Sequence, residues 1–242
     1  MQKKLGFVIM FYELKLFQGG FFVFDILKKQ CRFNKMSAIS LGIFMFYMIL
    51  RQIIALVYFI SDEQFGGISL SFDAINLLIV LIIYFYYRRS KEPFTNQNNF
   101  TMSLQKSLLL GLVLTVVCKF LPLLLANVIS FQSSNQVALE SQVTLPILVF
   151  AFSVALVAPI GEEIVYRGVI QHGIFKNSWL GVLVSSAIFA GVHVSLLSLE
   201  AIPYLLLGIS LGCTYKLTGR LYVGIIMHMI NNSVAVIAVY YL

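Results

Sequence analysis

The run Ala158-Pro-Ile-Gly-Glu-Glu-Ile-Val-Tyr-Arg167 sets two adjacent glutamates inside a hydrophobic stretch. A charged side chain at a helix centre in a bilayer costs about 2.5 kcal/mol or more, so an ionisable group in such a place is by default a candidate functional site. On a helix Glu163 and Arg167 share a face and can pair. Glu162 is turned away from its neighbour by roughly 100°. One carboxylate is thus held by the arginine while the other is aimed elsewhere. Pro159 removes a backbone hydrogen bond just upstream, and Gly161 weakens the helix locally. A kink there opens room for water beside the carboxylates. The plainer reading of the pair is a bridge that anchors a helix end at the membrane surface.

The rest of the chain supports a membrane setting for this run. Of 242 residues, 60% are hydrophobic and only 11% charged, with a mean hydropathy of +0.91. Soluble domains average about 45–50% apolar and about 25% charged. The fold class expected is all-α, a polytopic transmembrane helical bundle. Apolar runs read as spans at 36–60, 68–87, 104–131, 143–166, 179–199, 202–216 and 221–241. Residues 5–27 are apolar but carry Glu13, Lys15 and Asp25, with lysines at both flanks. They read as an amphipathic helix lying on the membrane surface, with an eighth span as the alternative. Three segments follow: 1–35 at the interface, 36–142 as N-terminal transmembrane helices, and 143–242 as the core that carries the chemistry.

The net charge of +7 falls in alternate loops: Lys28, Lys29, Arg32 and Lys35; then Arg88, Arg89, Lys91 and Lys106; then Arg167 and Lys176; then Lys216 and Arg220. The loops between carry Asp62, Glu63, Glu140 and Glu200 and no Lys or Arg. The positive-inside rule then places the N-terminus in the cytoplasm of a multi-pass protein of the cell membrane. It also explains the basic balance without nucleic acid. Cys31, Cys118 and Cys213 form no CxxC pair and read as small buried hydrophobes. No small-residue cleavage site follows the first apolar run, so no cleavable signal peptide is expected.

Chemistry concentrates in the C-terminal hundred residues, which hold seven charged side chains and all three histidines, His172, His193 and His228. His193 ends Phe189-Ala-Gly-Val-His193, and His228 opens His228-Met-Ile-Asn-Asn232. His228 and Asn232 share a helix face, from which Asn231 turns away. Each taken alone reads as a hydrogen bond between helices. Together they set two carboxylates, an arginine, two imidazoles and an amide on three helices. A carboxylate and an imidazole can activate water, and an imidazole with an amide can stabilise the resulting oxyanion. Ser195 is turned to the opposite face from His193, so no nucleophile is paired to a base. There is no HExxH motif. These residues call for no cofactor. Zinc is the alternative, held by Glu163, His193 and His228.

The order Glu-Glu-x-x-x-Arg, Phe-x-x-x-His, His-x-x-x-Asn on successive apolar helices resembles the CPBP family, the CAAX protease and bacteriocin-processing (Abi) intramembrane proteases. The matching residues are Glu162, Glu163 and Arg167; Phe189 and His193; His228 and Asn232. The resemblance covers about residues 143–242. It implies a helical bundle around a water-accessible cavity open to the cytosol. It also implies that Glu162 and His193 activate water, Arg167 holds Glu163, and His228 with Asn232 forms the oxyanion site. An intramembrane endopeptidase acting on a membrane-associated peptide or protein is expected, in bacterial peptide maturation, signalling or bacteriocin immunity. The competing reading is a non-catalytic membrane immunity or scaffold protein. A proton-coupled transporter would also use intramembrane Glu and His, but no inverted repeat supports one. Level placement of Glu162 and His193 requires the fourth helix to run past residue 166, the fifth to begin after residue 179, or both. Both shifts are expected.

Overall fold

The computed structural model describes residues 31, 35–61, 67–89, 102–126 and 147–241. Among them are seven helices and no strand. They are α1 (Lys35–Ser61), α2 (Gly67–Arg88), α3 (Leu104–Ala126), α4 (Ile147–Ile174), α5 (Trp179–His193), α6 (Ala201–Thr218) and α7 (Leu221–Tyr241). The expected surface helix over 5–27, the expected span residues 127–131 and 143–146, and the loop charges Lys28, Lys29, Arg32, Asp62, Glu63, Lys91 and Glu140 lie outside the described residues.

Three of the helices are long and apolar enough to cross a membrane: α3 over Leu104–Pro122, α4 over Ile147–Ile174, and α7. The expected count of seven spans is therefore not reached by length and composition among the described residues. The reason is plain for α5. Its 15 residues rise roughly 22 Å, short of the roughly 30 Å of hydrocarbon.

α4 is the axis of the fold. Every residue from 161 to 171 is buried. One side packs against α1 and α2, where Tyr47, Val80, Ile83 and Tyr87 meet Ile164, Val165 and Val169. Ser40 of α1 hydrogen-bonds Tyr87 of α2, and Ser153 of α4 donates to Asp73 of α2. α4 is not a uniform helix. α-Helical turns at Ile147–Ala151 and Ala158–Glu163 alternate with π-helical stretches at Phe152–Val157 and Ile164–Ile174. Stretches of i→i+5 bonding are rare and recur at functional sites. Pro159 and the glutamate pair sit on the α-helical turns between them.

α4 does run past residue 166, as level placement of the site required, which carries Arg167 inside the protein. The second shift does not occur, since α5 begins at Trp179 and ends at His193 rather than at residue 199. A tight turn makes this possible. Lys176 and Asn177 both adopt left-handed backbone (φ 53°), and Ser178 caps α5 by accepting from the Gly181 N–H. Gln171 donates to the Asn177 side chain at 2.7 Å and Lys216 to its carbonyl at 2.7 Å, so the turn is tied to both α4 and α6. Glu162 and His193 then stand at comparable distances from the turn, on facing helices.

α5 and α6 meet through small residues, as in membrane helix pairs generally. A Cβ added at Gly208 would lie 3.0 Å from both Cα and Cβ of Ser186 and 3.3 Å from its carbonyl oxygen. Overpacking of this kind costs about 1–3 kcal/mol. Gly208→Ala should lower the thermal midpoint in detergent. Gly42→Ala, whose Cβ would meet nothing within 4 Å, should not. Equal midpoints for Gly208→Ala and wild type would mean that α5 and α6 are not this close.

Candidate active site

Glu163 and Arg167 are both fully buried on α4, with Arg167 Nε 3.2 Å from Glu163 Oε2. The contact is an ion pair off the hydrogen-bond axis. The guanidinium is held further by a bond from Nη2 to the Gly208 carbonyl at 2.8 Å and lies 5.2 Å over the Phe189 ring. One turn on, Gln171 donates to the Gly212 carbonyl at 3.0 Å. Arg167 and Gln171 on α4 therefore climb a ladder of glycine carbonyls on α6. The surface-anchor reading of the pair fails here, because no part of Arg167 reaches solvent.

The other oxygen of Glu163 takes a different partner. His228 Nδ1 lies 3.1 Å from Glu163 Oε1. Its acceptor is a carboxylate, so this nitrogen carries a proton. Room for the carboxylate comes from Gly224, one turn before His228, where a Cβ would lie 3.1 Å from Glu163 Oε2. His193 is oriented in the same way. Its Nδ1 donates to the Phe189 carbonyl at 2.7 Å. The ring is clamped between Phe189, with centroids 4.5 Å apart, and Tyr204, stacked at 5.1 Å.

Both imidazoles thus spend Nδ1 on an acceptor and turn Nε2 toward Glu162. His193 Nε2 lies 4.0 Å from Glu162 Oε1, and His228 Nε2 lies 3.9 Å from Glu162 Oε2. These separations are too long for direct hydrogen bonds and suit a water-sized bridge between the groups. Glu162 is itself buried, at 3% exposure. The adjacent glutamates therefore have different surroundings. Glu163 is enclosed by arginine and imidazole, while Glu162 faces two imidazole edges.

For the zinc alternative, Glu162 rather than Glu163 is the carboxylate that both Nε2 atoms face. Among the described residues no group of three His, Cys, Asp or Glu side chains is close enough to hold a metal ion.

Asn232 lies one turn beyond His228, and its amide donates to the Val154 carbonyl of α4 at 2.9 Å. His172 is not part of the site. Its Nδ1 sits 3.1 Å from the Tyr215 hydroxyl near the end of α4. Sequence reasoning gave Phe189 a place in a motif but no role, and it missed Tyr204, Gly208 and Gly224. The last two had a faint signal as glycines inside apolar helices. Tyr204 had none.

Residues 144–234 match the family described as type II CAAX prenyl endopeptidase Rce1-like. The match spans 91 of the chain's 242 residues and is a likeness of that segment alone. A protein of Bacillus subtilis (strain 168) named "Putative membrane peptidase YdiL" is 31% identical over 106 residues, 43% of this chain. The match covers 42% of that protein's own length. No solved structure matches. The family segment holds all six expected site residues and every helix from α4 through most of α7. It excludes α1, α2 and α3.

Arg167→Ala leaves Glu163 buried beside His228 alone. Removing one partner of a buried pair costs about 3–5 kcal/mol. The variant should unfold at a clearly lower temperature in detergent, and Arg167→Ala/Glu163→Ala should recover part of the loss. An unchanged midpoint for Arg167→Ala would contradict the buried pair.

Proposed function

We propose that the chain is an intramembrane endopeptidase that hydrolyses a peptide bond of a membrane-associated peptide or protein with a water activated by Glu162. The observation that carries this reading is the pair of Nε2 atoms facing one buried carboxylate at 3.9 and 4.0 Å. Glu162 and His193 hold the water, and Glu162 takes a proton from it. The hydroxide oxygen bonds to the substrate carbonyl carbon. The oxyanion that forms is met by donors from α7, the His228 Nε2–H and the amide of Asn232. Glu163, on His228 Nδ1, stabilises the imidazolium that makes this donation. The carbon–nitrogen bond then breaks, and Glu162 passes its proton to the leaving amine. General-base catalysis contributes about 10²–10⁴ in rate, and an oxyanion donor about 10²–10³.

In this reading Glu163 and Arg167 touch neither water nor substrate. They position His228. The 143–242 segment is the catalytic core. The N-terminus faces the cytoplasm of a bacterial plasma membrane, and the roles open to the chain are peptide maturation, signalling or bacteriocin immunity. The curated relative from a bacterium supports that setting.

Glu162→Gln keeps the shape of the side chain and removes the base. The test is a peptidomic comparison of membranes holding wild type or Glu162→Gln, with the metal content of both proteins measured. Fragments should disappear and a longer precursor accumulate in the variant, while its thermal midpoint stays near wild type. Identical peptide profiles would favour a non-catalytic immunity or scaffold protein. Stoichiometric zinc whose removal and return abolish and restore cleavage would replace free water with zinc-bound water.

A further inference from the structure

The hairpin of α5 and α6 has one end fixed at a membrane surface. Trp179, the chain's one tryptophan, opens α5 and is exposed. Lys216 of the last turn of α6 sets its Nζ 5.0 Å over the Trp179 ring and donates to the Asn177 carbonyl. Lys176, in the same turn as Asn177, is exposed. Tryptophan is enriched at the membrane–water interface, and lysine gathers just outside the spans. From that level α5 rises roughly 22 Å, and the 18 residues of α6 return over roughly 27 Å. Neither covers the roughly 30 Å of hydrocarbon, and neither is among the helices long and apolar enough to cross.

The other end, the tip at residues 194–200, suits an apolar solvent. Leu197 is 99% exposed, and Leu196 and Leu199 are each more than half exposed. Turns in water are dominated instead by Gly, Pro, Asn, Asp and Ser. The two serines of the tip spend their oxygens on its own backbone. Ser195 accepts from the Leu197 N–H through its hydroxyl and from the Ser198 N–H through its carbonyl. Ser198 accepts in the same two ways from the N–H groups of Glu200 and Ala201. These four bonds span 3.0–3.4 Å. Lipid offers no partner to a free N–H, so closure of this kind matters most in hydrocarbon. Glu200, the tip's one charge, is the N-cap of α6, where the helix dipole favours a carboxylate.

We propose that the α5–α6 hairpin enters the bilayer and turns back inside it, with the leucines of its tip against lipid acyl chains. Three independent observations meet in this reading: an anchored end, two helices short of a span, and a tip that shows leucine outward while its serines serve its own backbone. His193 ends α5 at the root of the tip. The hairpin therefore carries one imidazole of the site well below the surface from which it starts. The placement of the tip holds whether or not the chain cleaves peptides.

The test is tryptophan fluorescence of the full chain in phosphatidylcholine vesicles brominated either near the headgroup or deep in the acyl chain. Wild type reports Trp179 and should be quenched more strongly by the shallow bromines. Trp179→Phe/Leu197→Trp moves the reporter to the tip and should be quenched more strongly by the deep ones. Stronger shallow quenching at the tip would put it among the opposite headgroups and overturn the proposal. No quenching at the tip by either lipid would put it in water, open to a protein partner, and overturn it too. Deep quenching of Trp179 would remove the anchor, with the same result. A second measurement needs no new tryptophan. Leu197→Cys, in a chain with Cys31, Cys118 and Cys213 changed to alanine, should resist a membrane-impermeant maleimide in lipid nanodiscs, which leave both faces open, and react once detergent is added. Lys176→Cys in the same chain should react without detergent. Reaction of Leu197→Cys in the intact nanodisc would contradict the buried tip.

Discussion

A guanidinium and a carboxylate buried together, with neither reaching solvent, are the constraint on which the C-terminal half depends. Arg167 and Glu163 give up their hydration, and their mutual attraction repays that cost only with good geometry and further hydrogen bonds. The fold supplies partners from α5, α6 and α7. α6 brings the Gly208 carbonyl, α5 the face of Phe189, and α7 the Nδ1 of His228. The glycine at 224 lets α7 come close enough to do so, and the one at 208 lets α6 sit tightly against α5. Satisfying one ion pair therefore fixes four helices against one another.

The same constraint separates two residues that look equivalent in sequence. Glu163 is used up by Arg167 and His228. Glu162, next along α4, is aimed at two imidazole edges whose other nitrogens are already committed. Commitment of Nδ1 matters because it decides what Nε2 can do. A ring held by an acceptor on one side turns its other nitrogen, in a known state, to the reacting groups. The Phe189 carbonyl and the Glu163 carboxylate perform that service for His193 and His228. In the proposed hydrolysis, pre-organisation of this kind spares the side chains any rearrangement during the reaction.

Much of the site was legible because its signals are local. Glu163 and Arg167 are four apart on one helix, as are Phe189 and His193, and His228 and Asn232. Each pair falls on one face whatever the tertiary fold. Charges are so rare in the C-terminal half that those present stood out. What stayed hidden is what crosses between helices. Nothing in the spacing shows Tyr204 against His193, or the bond from Glu163 to His228 across 65 residues. The reach of α4 past Arg167 was foreseen from the need to level the site. The shortness of α5 was not, because the apolar residues 194–199 continue its hydropathy after its helix has ended. Hydropathy reports what a segment would tolerate, and the helix must also be long enough to span. The alternation of π-helical and α-helical turns in α4 leaves no mark in composition at all.

The central claim is that both imidazoles spend Nδ1 on fixed acceptors and turn Nε2 to Glu162. The direct measurement is the ¹⁵N spectrum of histidine-labelled protein in lipid, with His193 and His228 assigned by substitution. Both rings should show a protonated, hydrogen-bonded Nδ1, and the His228 Nδ1 signal should move in Glu163→Gln. A bare Nδ1 on either ring, with the proton on Nε2 alone, would contradict the arrangement and the chemistry built on it.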